Sequence, residues 1–384
     1  MRVGVESPGF GRGTAMVDLD NDGLLDLIVT TAGGDDQFWR QTSSQNFQQM
    51  NIPWSVPVTQ DESWGVLVAD FDNDGDKDVY FPNGGYSPGE ANVMLRNDLN
   101  TSGKFENISA SSGACASALS NFGGSVLDYD NDGDLDIFLT TAVSYWATTP
   151  QRCELYRNEG PHPTTGAMQF TEVGLAAGIT MLGDFRHCGV ADYDNDGYMD
   201  IMVGSYDDNN LLYHNNGDGT FTIVNDLVGI DNNHHFSFCS AFFDYNNDGW
   251  QDLYIANDKL DTQNLLYKNN GDGTFTEVGE ETGTNLSMDA MSTTIGDYNN
   301  DTWLDIYITN TVAGNIFLKN NGDGTFSNIA ENNGTLFESA AWGAVFLDAE
   351  NDTDLDLYVS GALDGTTSFL PSAFYENDGI GNYT

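Results

Sequence analysis

Basic residues are scarce in this chain: 12 Lys and Arg stand against 59 Asp and Glu in 384 residues, a net charge of −47. A chain so acidic has no footprint for displacing counterions from nucleic acid, so sequence-independent nucleic-acid binding is excluded. Docking on anionic lipid is disfavoured for the same reason. No apolar run approaches the ~20 residues of a membrane helix, so direct membrane insertion is not expected. Met1-Arg2-Val3-Gly4 does not open as a signal peptide, so any export signal is expected to be removed or to lie outside this sequence. Cysteine is limited to Cys115, Cys153, Cys188 and Cys239, with no CxxC metal spacing. Their positions allow a Cys115–Cys153 staple within one repeat, and Cys188 and Cys239 either paired or buried as small hydrophobes. Proline is rare, at 9, whereas glycine reaches 43, a balance that points to many tight turns between ordered elements.

Hydrophobic residues make up 39% and aromatics 12%, enough for a packed core. Seven N-x-S/T sequons, beginning at Asn100, Asn107, Asn285, Asn300, Asn333, Asn351 and Asn382, matter only if the host glycosylates. The dominant signal is a repeat. DLDNDGLLD from Asp18 recurs as DFDNDGDKD, DYDNDGDLD and DYDNDGYMD from Asp70, Asp128 and Asp192. Divergent copies follow as DYNNDGWQD, DYNNDTWLD and DAENDTDLD from Asp244, Asp297 and Asp348. Each copy leads into an alternating apolar strand. A second strand and a turn follow, as in LLYKNNGDGTFTEV, where Asn-Gly and Asp-Gly beside Tyr and Phe signal a hairpin. One more apolar stretch precedes the clusters, often with glycine, as in SWGVLVAD, NFGGSVLD, RHCGVAD and AWGAVFLD.

The unit is therefore four short antiparallel strands in about fifty residues, the size of a propeller blade. Such sheets have two apolar faces and need neighbours on both, which radial stacking supplies. The expected fold is all-β, one seven-bladed β-propeller over 1–384, with blades near 1–55, 56–112, 113–176, 177–230, 231–282, 283–333 and 334–384.

Side-chain oxygens at alternate positions of a tight loop converge on one point, and oxygen donors without His or Cys suit Ca²⁺. The expected ligands in loops one to four are Asp18, Asp20, Asp22 and Asp26; Asp70, Asp72, Asp74 and Asp78; Asp128, Asp130, Asp132 and Asp136; and Asp192, Asp194, Asp196 and Asp200. Loop five offers Asp244, Asn246, Asp248 and Asp252, and loop six Asp297, Asn299, Asp301 and Asp305. Loop seven offers Asp348, Glu350, Asp352 and Asp356. Up to seven structural Ca²⁺ are expected. Charge count ranks loops one to four first, and Glu350 with Thr353 at the glycine position ranks loop seven last. Position 12 of every copy is an apolar strand residue, which excludes an EF-hand. The NNGDGT turns at Asn215, Asn269 and Asn320 are read as hairpins.

These repeats resemble the FG-GAP/VCBS family, the blades of integrin α-subunit propellers. Trp64-Gly65, Phe122-Gly123 and Trp342-Gly343 stand where that family places its aromatic-Gly pair. The L-Y-x-N-N-G-D-G-T-F-T blades are more similar to the bacterial and cartilage-acidic-protein-like branch than to integrins. The resemblance implies an extracellular or cell-surface location, structural Ca²⁺ and adhesion or recognition, without naming a ligand.

No GxSxG, HExxH or Walker A segment occurs, so the chain is read as a non-enzyme. His187, His234 and His235 are weighed as a metal or proton-transfer site and assigned to surface or packing roles. The expected function is an adhesion or recognition module for an extracellular protein or glycan. The alternatives are a structural subunit of a surface assembly, homo-oligomeric or joined to other surface domains, and then a polysaccharide lyase or hydrolase by fold analogy. In a four-stranded meander the acidic loops share one face with the 3–4 turns. The longer 2–3 connections on the other face carry Tyr86, Tyr145 and Trp146, the residues expected to bind a partner. Arg12, Trp64, Phe122, Arg186, Phe238, Met291 and Trp342 precede the first Asp of each loop by six residues. They are expected to ring the channel mouth, with the aromatics packing blades together.

Overall fold

A computed structural model of the chain describes residues 10–32, 35–43, 46–50, 63–84, 91–115, 119–143, 149–231, 233–361 and 372–384. Seven antiparallel meanders follow one another in sequence order, six with four strands. In blade four, for example, Phe185–Ala191, Asp200–Ser205, Leu211–Asn215 and Phe221–Ile223 pair in succession. Blade seven has three strands, and its fourth place is held by the Asn377–Tyr383 bridge and paired backbone bonds between Glu376 and Thr384. The protein is a seven-bladed β-propeller. Short helical turns, absent from the all-β expectation, follow the fourth strands at Ser109–Ser112, Asn225–Val228 and Gly279–Thr282.

The first strands line the axis and pack on one another around the ring, blade seven closing on blade one. The second strands are buried on both faces and read as continuous apolar runs. The core accordingly lies between blades. Ile28 and Phe38 meet Val79, Phe81, Leu95 and Phe105 of the next blade, and Leu27, Val29 and Trp39 meet Leu347 and Tyr358 across the closure. Burying both faces of each sheet is what makes a single blade unstable and the closed ring stable.

Glycine is required where neighbouring blades approach most closely. A Cβ on Gly13 would lie 3.1 Å from the Cα of Gly65, so the inner strands meet backbone to backbone. Farther out, Gly229 (φ 86°) caps the turn after blade four, and a Cβ there would meet the Phe275 carbonyl of blade five at 2.6 Å.

The first strands also share a β-bulge. In blade three Asn121 pairs with Thr141 and Gly123 with Thr140, leaving Phe122 as the extra residue. Arg186, Phe238 and Trp342 are the extra residues of blades four, five and seven. A bulge re-aims the side chain it releases, and here it turns these side chains into the channel on the face opposite the acidic loops. Trp64 stacks on Phe122 with centroids 4.0 Å apart, and Trp342 approaches Trp64 and Phe238 at 6.2 Å. The ring is a packed plug whose side chains line a channel cavity of about 270 Å³. Arg186 joins it, lying 4.7 Å over Phe122 and paired with Asp184 at 2.7 Å. The side chain of Arg12 lies outside the described residues, as do Tyr86, Tyr145 and Trp146.

The expected Cys115–Cys153 staple needs correcting, because all four cysteines are free thiols, and Cys188 and Cys239 take the unpaired alternative. Cys115 packs between blades two and three and Cys153 between blades three and four, so blade three itself separates them. Cys188 and Cys239 turn to different hydroxyls, Ser125 at 3.3 Å and Thr293 at 3.1 Å.

Candidate metal centre

All seven acidic loops share one backbone path. The fourth residue is always an asparagine in the left-handed region, with φ between 56° and 59°. The sixth is glycine with φ of 87° to 94° in five loops, but Thr302 (74°) and Thr353 (77°) in loops six and seven. The first aspartate shapes this turn: Asp18 Oδ1 accepts the Asp22 N–H at 3.0 Å and its Oδ2 accepts the Gly23 N–H at 2.8 Å. The same pair recurs in loops two to seven. The fifth residue caps the way out, as Asp22 Oδ1 does for the Leu24 N–H at 2.9 Å.

The ninth residue ties the loop to the sheet. Asp136 is fully buried, and its two oxygens accept the N–H groups of Tyr129 (3.0 Å) and Asn158 (2.7 Å). Burial pushes Asp78, Asp136, Asp252 and Asp305 up to about 7, against the pull of these backbone donors.

The third residue is different. Asp20, Asp72, Asp130 and Asp194 each hold one buried Oδ1 without a hydrogen-bond partner, and Glu350 holds such an Oε2. Acceptors left unpaired in one equivalent position, beside further carboxylates, fit a bound cation. In loop two, oxygens of Asp70, Asp72 and Asp78 lie within 4.8 Å of one another, as do those of Asp128, Asp130 and Asp136 in loop three. Loops five and six lack this feature, because the Asn246 and Asn299 amide oxygens accept the N–H of Asp248 (2.9 Å) and Asp301 (3.2 Å).

Two further contributions were not readable from the repeat. The asparagine of the third strand reaches back one blade: Asn97 donates to the Leu19 carbonyl at 2.7 Å, and Asn158 to Phe71 at 2.8 Å. Asn215, Asn269, Asn320 and Asn377 do the same, and Gln41 does so from blade one to Ala349 of blade seven. The seven loops are thus clasped into a closed circle. One residue earlier, a basic side chain leans toward each of several loops. His214 Nδ1 lies 3.2 Å from Asp200 Oδ1 and 3.5 Å from Asp194 Oδ2, forming a mixed cluster in loop four. The signal was present in the sequence as the variable x of L-Y-x-N-N, but its direction was not.

The NNGDGT segments are hairpin turns whose aspartates cap them, as Asp218 Oδ1 accepts the Thr220 N–H at 3.1 Å. The histidines weighed as one site separate: His235 bonds Asp231 at 2.9 Å, His234 lies 2.8 Å from the Tyr206 carbonyl, and His187 lines the channel.

The FG-GAP-like repeat matches residues 18–81, 128–203, 192–255, 244–308 and 297–359, each match running from one acidic loop through the strand that follows the next. The chain belongs to the FG-GAP-like repeat family. Among curated relatives, human cartilage acidic protein 1 is 24% identical over 96% of this chain and 58% of its own length. The mouse protein is 23% identical over 96% and 60%, respectively. The chain therefore spans less than two thirds of the relatives it matches. Solved structures of similar fold include BBS1N in complex with ARL6DN, at TM-score 0.54 and 10% identity, covering 94% of this chain and 91% of that one. YCF48 bound to D1 peptide matches at TM-score 0.54 and 9% identity, over 93% of both chains. At such identity these two speak for the fold alone. Among the described residues, no helix of this FG-GAP-like propeller is long and apolar enough to cross a membrane.

Proposed function

We propose that this propeller is an extracellular calcium-binding recognition module for a protein or glycan, without catalysis of its own. The observation that carries the calcium assignment is the unpaired, buried third-position oxygen repeated in loops one, two, three, four and seven. The first, third, fifth and ninth side chains of each loop would hold the ion. Bound calcium supplies positive charge where carboxylates converge, and it stiffens the rim. The cartilage acidic protein relatives support an extracellular setting.

The partner surface is assigned to the face opposite the calcium loops. The exposed Met181, Leu182, Leu260, Val312 and Leu336 all fall in connections on that face, which supports the assignment. Tyr86, Tyr145 and Trp146, the residues expected to bind the partner, belong by sequence to 2–3 connections and lie outside the described residues. The test is a glycan-array and pull-down screen in calcium and in EGTA, repeated with the Tyr145→Ala/Trp146→Ala double variant. Binding that needs calcium and weakens in the variant, whose melting temperature stays unchanged, is the expected result. Calcium-independent binding, or binding lost only on changing the calcium-face turns, would refute the reading.

A further inference from the structure

The chain has few basic residues, yet five of its 12 Lys and Arg occupy one register position: Arg40, Arg96, Arg157, Lys268 and Lys319 each precede the clasping residue of the third strand. They do not behave alike. Arg96 forms its ion pairs with Asp98 (3.0 Å) and with Glu106 (2.6 Å), which faces it across the hairpin, rather than with a carboxylate of loop two. Arg157 forms its ion pair with Glu159 at 2.7 Å rather than with a carboxylate of loop three. Blade one has no such acids, since Thr42 stands two residues after Arg40 and Gln48 faces it across the hairpin. Arg40 instead turns into loop one, its Nη2 2.6 Å from Asp20 Oδ2 and 3.0 Å from Asp22 Oδ2.

We propose that Arg40 is a built-in cation of loop one that competes with calcium, giving this loop a lower affinity than loops two and three despite the same four carboxylates. The guanidinium occupies oxygens of the third- and fifth-position aspartates, two of the ligands a calcium ion needs. Binding must displace Arg40 or tolerate a positive charge beside a divalent one, and either costs affinity. Because Arg40 is 46% exposed, water screens the effect and it stays modest, about fivefold in Kd. The acid two residues on, or its absence, therefore sets loop affinity from outside the nine-residue motif.

This inference rests on the calcium reading of the loops, and the experiment separates the two. Calcium-stripped protein is titrated calorimetrically, and anomalous scattering from crystals at limiting calcium gives the occupancy of each loop. Loop one is expected to fill after loops two and three. Arg40→Gln should bring it level with them, tightening one site about fivefold without changing the number of sites. Conversely, Asp98→Asn with Glu106→Gln frees Arg96 and should weaken loop two by a similar factor. Calcium binding by Arg40→Gln with loop one still lagging, or native loop one filling together with loops two and three, overturns this inference alone. No calcium binding in either protein overturns the calcium reading and this inference with it.

Discussion

At the scale of single residues, the sixth loop position separates sound turns from strained ones. Thr302 and Thr353 hold φ values of 74° and 77°, where a side chain with Cβ is costly and glycine is not. Thr353→Gly is expected to stabilise the fold by about 1 kcal/mol, seen as a higher urea midpoint at constant slope. A lower midpoint would mean that the threonine side chain makes a contact worth more than its strain. Asparagine at the fourth position shows the opposite economy, since it tolerates the left-handed region and also reaches the neighbouring loop. Asn21, for instance, donates to Asp76 Oδ1 at 2.7 Å.

At the scale of the element, each loop is braced by its ninth aspartate and by a side-chain amide of the following blade, an asparagine for loops one to six and Gln41 for loop seven. Asn158 is fully buried, donates to Phe71 of blade two and accepts from Gly160. Asn158→Ala leaves a buried carbonyl unpaired and should destabilise by about 1–3 kcal/mol, measured by denaturant titration. The buried aspartates give the calcium-free protein a pH dependence. Asp78, Asp136, Asp252 and Asp305 ionise at about 7 in the fold against 3.8 for the ordinary group, so the native state binds more protons between those values. Their contribution is complete below about pH 4 and is lost as the pH rises through 7. In EGTA the melting temperature should therefore fall between pH 5 and pH 8. With saturating calcium holding the carboxylates ionised, that fall should shrink. A flat profile in EGTA would show that the ninth aspartates are already ionised in the folded apo-protein.

At the scale of the whole molecule, 59 acidic side chains in one ring repel each other, and the clasp draws many of them to one face. Cations bound there act on every blade through the clasps. Calcium at a hundredfold excess over Kd adds about 3 kcal/mol per site, so millimolar calcium should raise the unfolding temperature well above that in EGTA. Coincident calorimetric scans in the two conditions would show that the loops bind no calcium. Closure depends on contacts between the two ends of the described chain, among them Gln41 to Ala349 and Asn351 to the Gly23 carbonyl at 3.2 Å.

The sequence alone determined the blade count, the meander and the acidic loops, because all three are written in local pattern. A loop nine residues long, an alternating strand and an Asn-Gly hairpin each need only neighbours in the chain. The aromatic plug was also legible as a register, since Trp64, Phe122 and Trp342 stand at one offset, although the bulge that aims such residues inward was not. What tertiary structure decided lies between blades. The reach of Asn97 to Leu19 spans 78 residues, and no periodicity says whether such a side chain turns backward, forward or to solvent. The direction of Arg40 was settled by which acids stand near it in space, and the separation of Cys115 from Cys153 by the sheet that fills the gap between them. Local periodicity fixes what a blade is, whereas its polar side chains find their partners only once neighbouring blades exclude water from the space they share.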